Sequence, residues 1–266
     1  LENMGQYDLA TKVYQEISAD NPIFHLAELG RAEALRDSGN VAGAIEALKN
    51  LTRSHPTMVR AYRTLGNILR YEERYQDAIE VFNDAIELSN SEDKSAWRLF
   101  YARGIAYERL NEWPKADHDF REALRLKPDQ PLVLNYLGYS LVEKKVQLDE
   151  ALAMIEKAVD LRPSSGFIVD SLGWVLFRMQ QYEEAVPHLE RAAELEPVDP
   201  IVNDHLGDVY WAVGRKREAH FQWQRALSFD PEEAEADRIR RKLDVGLDVV
   251  LQEEGADPLT VAQSND

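Results

Sequence analysis

The residues of this chain that could do chemistry are a scattered set of histidines and one S-x-x-K sequence, Ser91 to Lys94. The S-x-x-K sequence lacks the partner motifs that accompany it in acyl-transfer enzymes. No histidine pairs with carboxylates at the helical spacing that a metal site needs, so a core or surface role is expected for each. The histidines are His25, His55, His118, His188, His205 and His220. Cysteine is absent, which excludes thiol catalysis and thiolate zinc sites. We therefore expect no catalytic residue, no cofactor and no metal.

The amino-acid composition argues against some classes of partner. The 266 residues include 48 acidic and 31 basic side chains, for a net charge of -17. A strongly acidic surface repels phosphate backbones, so nucleic acid is excluded as the expected partner. No apolar run approaches the roughly 20 residues of a membrane span.

Proline spacing reveals an internal repeat. Intervals of 34, 72, 35, 34 and 34 residues separate Pro22, Pro56, Pro128, Pro163, Pro197 and Pro231. The double interval holds one more repeat and a short insert around "SEDKSA". Each repeat contains a phrase such as "SLGWVL", a second such as "YEEAVPHL" and a third such as "AAELEP", which indicate helix, turn, helix and proline stop. This self-similarity predicts an all-α solenoid of stacked antiparallel helix hairpins.

Small residues recur at one register of each hairpin. A glycine inside a helix costs about 1 kcal/mol relative to alanine, so its repetition predicts close approach of a neighbouring helix. The recurring positions are Gly66, Gly104, Gly138, Gly173 and Gly207 in the first helices and Ala44, Ala78, Ala116, Ala151, Ala185 and Ala219 in the second.

Large residues fill the gaps between the small ones, namely Tyr75, Phe82, Trp113, Phe120, Tyr182, Leu189 and Trp223. These small, large and proline positions together resemble the tetratricopeptide repeat family, which implies a right-handed superhelix. The resemblance covers most of the chain. It predicts a partial repeat with only a second helix at 1–24, whose first helix would lie upstream. A capping helix is expected at 234–251 and a disordered tail at 252–266. Six full repeats are predicted at 25–58, 59–92, 97–130, 131–165, 166–199 and 200–233.

The resemblance also implies a concave groove lined by five positions of each first helix. Gly173 would face its partner helix, and Trp174, about 100° further round the helix, would face the groove. The alternative is that Trp174 packs only in the core. The groove is expected to be basic in its N-terminal half and aromatic and acidic in its C-terminal half. The candidate partner-binding residues are Arg60, Arg63, Asn67, Arg70, Arg98, Tyr101, Arg109, Asn135, Tyr139, Phe167, Asp170, Trp174, Phe177, Asp204, Asp208 and Trp211.

The function predicted from these features is a non-enzymatic scaffold that binds a protein or peptide. Two alternatives are a self-assembling module, which would form a homodimer through an open repeat end, and the substrate-presenting arm of an enzyme. The phrases "NYLGYSL", "DSLGWVLFR" and "HLGDVYWAVGR" resemble exported bacterial repeat proteins, some of them outer-membrane lipoproteins. That resemblance implies a periplasmic or outer-membrane adaptor for a protease or an assembly machinery, with a cytoplasmic location as the alternative.

Overall fold

The computed structural model describes residues 6–18, 20–90, 93–256 and 258–259. Their regular secondary structure is helical, which confirms the predicted all-α class. The helices form two compact units, Leu1–Pro128 and Asp129–Asp266. Ser91 and the end of the expected tail, 260–266, lie outside the described residues.

In the part of the first unit that the structure describes, one single helix is followed by three helical hairpins. Its helices are α1 (Tyr7–Gln15), α2 (Phe24–Asp37), α3 (Val41–Ser54), α4 (Val59–Tyr71), α5 (Tyr75–Leu88), α6 (Trp97–Arg109) and α7 (Trp113–Leu126). The predicted insert forms a short 3-10 helix, Lys94–Ala96, just before α6. The hairpins are α2 with α3, α4 with α5 and α6 with α7.

Within residues 129–256, the second unit has three hairpins and two further helices. Its helices are α8 (Pro131–Glu143), α9 (Leu148–Leu161), α10 (Gly166–Arg178), α11 (Tyr182–Leu195), α12 (Pro200–Ala212), α13 (Lys216–Leu227), α14 (Glu233–Val245) and α15 (Leu247–Glu253). The hairpins are α8 with α9, α10 with α11 and α12 with α13.

In the five hairpins from α4 to α13, a glycine of the first helix meets a large residue of the second. A Cβ atom added to Gly173 in α10 would lie 2.5 Å from Cγ of Leu189 in α11. Phe120 and Trp223, the large residues that face Gly104 and Gly207, have no exposed surface. The glycines are therefore explained by the packing of each hairpin.

The structure has two helices where the sequence predicts one capping helix over 234–251. Gly246 adopts φ 88° and ψ 158°, which no right-handed helix can contain. α14 therefore ends at Val245, and α15 leaves in a new direction. The buried residues of α14 are Ala236, Ile239 and Lys242.

Candidate partner-binding sites

Four arginines of the first unit lie on the first helices of neighbouring hairpins. Arg60, Arg63 and Arg70 are on α4, at spacings that place them on one helical stripe, and Arg98 is in the first turn of α6. We call these four residues the arginine surface. Asn67 lies on the same stripe of α4 and is half-buried.

The arginine surface has few counter-charges. Arg60 is paired with Glu33 at a long N–O distance of 3.6 Å, and its side chain is 57% exposed. Arg63 makes no ion pair or hydrogen bond with any residue that the structure describes. The buried Nε of Arg70 also lacks a hydrogen-bond partner among those residues. The guanidinium groups of Arg60 and Arg63 thus keep donors available for an acceptor from another molecule, whereas the buried Nε of Arg70 does not.

Mutual repulsion among these arginines is visible at Arg63. Burial lowers the pKa of Arg63, and the nearby guanidinium groups of Arg98 and Arg60 lower it further. Only Glu33 acts in the opposite direction. A bound anion would offset the repulsion between the arginines, and this relief would add to the affinity of the site for the anion.

Aromatic rings hold two of the guanidinium groups in place. The Arg70 guanidinium lies 4.3 Å from the ring centre of Tyr71, whose side chain is 72% exposed. The Arg98 guanidinium lies 4.8 Å from the ring centre of Trp97. Burial raises the pKa of Tyr101 to about 12, so its phenol stays neutral beside Arg70. Arg109, at the end of α6, is exposed.

In the second unit, Trp174 is the centre of a stack of three rings. Its ring centre lies 5.0 Å from that of Phe177 and 4.0 Å from that of His205 in α12. Trp174 is only 9% exposed and Phe177 6%. The indole N–H of Trp174 donates to Glu143 Oε1 at 2.9 Å, and Arg178 pairs with the same oxygen. Trp174 is therefore mainly a packing residue, and the small exposed part of its side chain lines a cavity.

Asp170 and His205 form a buried pair beside this stack. His205 Nδ1 lies 3.0 Å from Asp170 Oδ2. Burial of the ring is the largest single influence and lowers the pKa of His205, whereas the charge of Asp170 and its hydrogen bond to the ring raise it. Asp204 and Asp208 add to the increase, so the net direction is upward.

Because the folded-state pKa of His205 is raised, protonated His205 contributes stability that is lost as pH rises through that pKa. We expect His205→Gln to cost more at pH 6 than at pH 9, by about 1.5 kcal/mol, the lower value for a hydrogen bond to a charged group. Urea unfolding of both proteins at the two pH values measures this difference. His220→Gln is the control, and equal pH dependence of the two variants would contradict the prediction.

Asp204 and Asp208 hold a buried lysine. Lys242 of α14 has no exposed side-chain surface, and its Nζ lies 2.6 Å from Asp204 Oδ1 and 2.6 Å from Asp208 Oδ1. Arg238 lies 3.6 Å from Asp208 Oδ2. Trp223 Nε1 donates to Asp208 Oδ1 at 2.8 Å. These two carboxylates, expected to face a partner, are therefore engaged within the second unit.

Trp211 is also engaged by the C-terminal helices. Its indole N–H donates to Asp248 Oδ2 of α15 at 2.7 Å. Gly246 packs directly against the edge of its six-membered ring. Lys216 lies 4.5 Å from the ring centre.

The other candidate residues of the second unit have varied environments. Asn135 is buried, and its Oδ1 has no hydrogen-bond partner among the described residues. Burial, followed by Glu143 and Asp170, raises the pKa of Tyr139. Phe167 is 49% exposed.

A cavity of about 410 Å³ lies between α15 and the first helices of the second unit. Its lining combines aromatic, aliphatic and charged side chains, among them Trp174, Phe177, Arg178, Tyr182, Arg238 and Leu251. In the part of the chain that the structure describes, no group of His, Asp and Glu side chains could hold a metal ion. None of the described helices is long and apolar enough to cross a bilayer.

Comparison with known proteins assigns the family. A family model described as Tetratricopeptide repeat matches residues 1–49, 29–93 and 171–234, and a second model of that description matches residues 97–130. The matched residues make up more than half of the chain. The chain belongs to the tetratricopeptide repeat (TPR) family.

Two curated relatives share part of their length with this chain. The human protein O-mannosyl-transferase TMTC1 is 26% identical over 170 residues, which are 64% of this chain and 19% of that protein. A TPR repeat-containing protein from Pseudomonas aeruginosa is 28% identical over 166 residues, 62% of this chain and 27% of that protein. The chain thus spans less than a third of either relative.

Solved TPR structures share its fold. A TPR protein from Parabacteroides merdae superimposes with a TM-score of 0.68 at 16% identity, covering 92% of this chain and 93% of that one. YrrB, described as a TPR protein with an unusual peptide-binding site, gives a TM-score of 0.54 at 21% identity, covering 74% and 99%. The predicted solenoid of helix hairpins is confirmed.

The TPR pattern places Glu143 and Arg178 among the groove-facing positions but does not indicate three residues that organise the second unit. His205 joins Trp174 and Asp170, and Arg238 and Lys242 join the acidic pair of α12. Lys242 could have been suspected, because it lies three residues after Ile239 on the buried stripe of α14. His205 carries no such signal.

Proposed function

We propose that this chain is a non-enzymatic protein-interaction scaffold whose arginine surface binds an acidic segment of a partner protein. TPR arrays generally act as protein-binding scaffolds without catalysis. The observation that carries the proposal is a group of four guanidinium groups with one long ion pair among the described residues, Arg60 to Glu33, in a chain of net charge -17. The peptide-binding site named for YrrB gives a precedent in a protein of the same fold.

The chemistry of the arginine surface favours a carboxylate-rich peptide over nucleic acid. Guanidinium groups bind carboxylates through two parallel hydrogen bonds, and the exposed ring of Tyr71 offers an apolar contact beside them. The rest of the chain carries more acidic than basic residues, and this negative charge would repel an extended phosphate backbone. A short acidic segment can occupy the arginine surface without approaching the other carboxylates.

The double variant Arg63→Glu/Arg98→Glu tests this proposal. We expect at least a roughly tenfold loss of affinity for a fluorescein-labelled peptide of alternating glutamate and leucine, because two attractive charges become repulsive. Fluorescence anisotropy measures the affinity. Binding to the wild type should also weaken as sodium chloride is added.

A matched control is available on the second helices of the same unit. Arg53→Glu/Arg125→Glu changes the net charge by the same amount at exposed positions away from the arginine surface. The control should retain wild-type affinity. Equal losses in both double variants would mean that net charge, rather than this surface, attracts the peptide, and the proposal would be abandoned.

We further propose that the scaffold serves as an adaptor in a bacterial cell envelope. Support comes from the phrases "NYLGYSL" and "DSLGWVLFR", which are similar to those of exported TPR proteins. Fractionation of cells that produce the full-length protein tests this location. A protein found entirely in the cytoplasmic fraction would exclude the envelope role and leave the scaffold function standing.

A further inference from the structure

The last helix of the second unit lies across the inner face of the preceding hairpins. Asp248 of α15 accepts the indole N–H of Trp211 in α12, and Glu254, just after α15, pairs with Arg238 at 2.7 Å. Leu251 faces the cavity that Trp174 and other α10 residues line. α15 therefore covers the surface where the sequence predicts a bound partner.

The contacts of α15 show which chemistry this inner face recognises. Leu247 and Val250 are buried, with 1% and 3% of their surfaces exposed. The carboxylates of Asp248 and Glu254 meet an indole N–H and a guanidinium. The segment is therefore a short amphipathic, acidic helix, because two apolar residues three positions apart face the protein and carboxylates lie beside them.

The attachment of α15 allows it to leave without unfolding the hairpins. It is joined to α14 through Gly246 alone, whose φ of 88° makes a sharp corner. Only two of its seven residues are buried. A cavity of about 410 Å³ stays between α15 and the aromatic side chains of α10, so the segment does not fill the face. An element with so little buried surface opens at low free-energy cost.

We propose that α15 and the described residues that follow it, 254–256 and 258–259, are an internal ligand. They occupy a binding face that, in a complex, receives a short amphipathic acidic helix of a partner protein. This second site rests on the chain being an interaction scaffold but does not depend on the arginine surface. The partner helix would repeat the contacts of α15 and extend over the cavity with larger apolar side chains.

The test uses the full chain with α15 loosened in two independent ways. Asp248→Asn/Glu254→Gln weakens its polar contacts with Trp211 and Arg238. Gly246→Ala leaves every charge in place, but its Cβ meets the Trp211 ring and its φ disfavours a side chain. The probe is a labelled synthetic peptide with the sequence of residues 246–259.

The wild type should bind the peptide weakly, because its own α15 is present at high effective concentration. Both variants should bind it at least roughly tenfold more tightly, with faster amide hydrogen exchange confined to α15. The control Glu233→Gln/Asp237→Asn removes two carboxylates whose ion pairs, among the described residues, are with Arg240, and it should behave as the wild type.

Three results would overturn the proposal. They are unchanged peptide affinity in both variants, equal gains in the control, and loss of helical circular dichroism in both variants, which would make α15 a structural cap. All measurements are repeated in the Arg63→Glu/Arg98→Glu background. Tight binding that persists there belongs to the second unit, so the outcome is separate from that of the arginine surface.

Discussion

Replacing Lys242 by Met is expected to lower the free energy of unfolding of the second unit by about 3–5 kcal/mol. The change removes an ammonium group whose Nζ contacts both Asp204 and Asp208, and Asp208 is 1% exposed. Met keeps an unbranched apolar stem in the same space, so the loss measures the charge rather than the packing. Arg238, 3.6 Å from Asp208, compensates only in part.

The pH dependence of this loss identifies its cause. Burial and the neighbouring Asp208 raise the pKa of Asp204, whereas Lys242 opposes that rise. Without Lys242 the carboxylates can relieve their repulsion by taking up a proton, which is easier at low pH. We therefore expect Lys242→Met to be less destabilising at pH 5 than at pH 8. A cost that did not change with pH would point to packing.

Urea unfolding followed by tryptophan fluorescence measures the effect, with Arg240→Met as the matched control. Arg240 lies on the same helix and pairs with Glu233 and Asp237, but its side chain is 54% exposed. Exposed pairs contribute about 0–1 kcal/mol, so the control should lose little. Similar losses in the two variants would show that the buried cluster is not a special determinant of stability.

The fold was predictable because its main determinants are local and repeated. Gly173 and Leu189 lie within one hairpin, so their close approach is encoded in a single repeat. The same pairing recurs as Gly104 with Phe120 and as Gly207 with Trp223, and each recurrence strengthens the pattern. Such contacts need only the helix period and a short turn to be inferred.

The candidate site was less predictable because its contacts join different hairpins. The position of Trp174 on α10 indicates the inner face, but its burial depends on His205 from α12 and Glu143 from α8. Those partners lie more than 30 residues away in either direction. Spacing within one repeat carries no information about which side chain of the next repeat will stack on the indole.

The C-terminal helices illustrate a second limit. Glycine inside a helical pattern is often tolerated, so "DVGLDVV" is compatible with one long helix. The helix breaks at Gly246 because α15 packs against α12. Asp248 of α15 accepts a hydrogen bond from the indole of Trp211, and Gly246 lies against the ring of Trp211. A tertiary contact therefore decides between two conformations that the local sequence allows.

Replacing Arg103 by Met is expected to destabilise the first unit by about 3 kcal/mol. Arg103 makes two parallel hydrogen bonds with Asp119, at 2.7 Å and 2.8 Å, and its third bond, 2.7 Å long, reaches Asn83 on α5. Asp119 is 1% exposed, so the variant leaves a carboxylate without water or a counter-charge. Urea unfolding monitored by circular dichroism gives the free energy.

A double variant separates the cost of leaving the Asp119 carboxylate unpaired from the contribution of the ion pair to stability. In Arg103→Met/Asp119→Leu neither charge is present, and we expect most of the lost stability to return because an apolar pair of similar volume needs no desolvation. Arg125→Met, which breaks an exposed pair with Glu122 on the same helix as Asp119, should cost less than about 1 kcal/mol. If the double variant is no more stable than Arg103→Met, the link from Arg103 to Asn83 is the stronger contribution. The arginine would then stabilise the stacking of successive hairpins rather than neutralise Asp119.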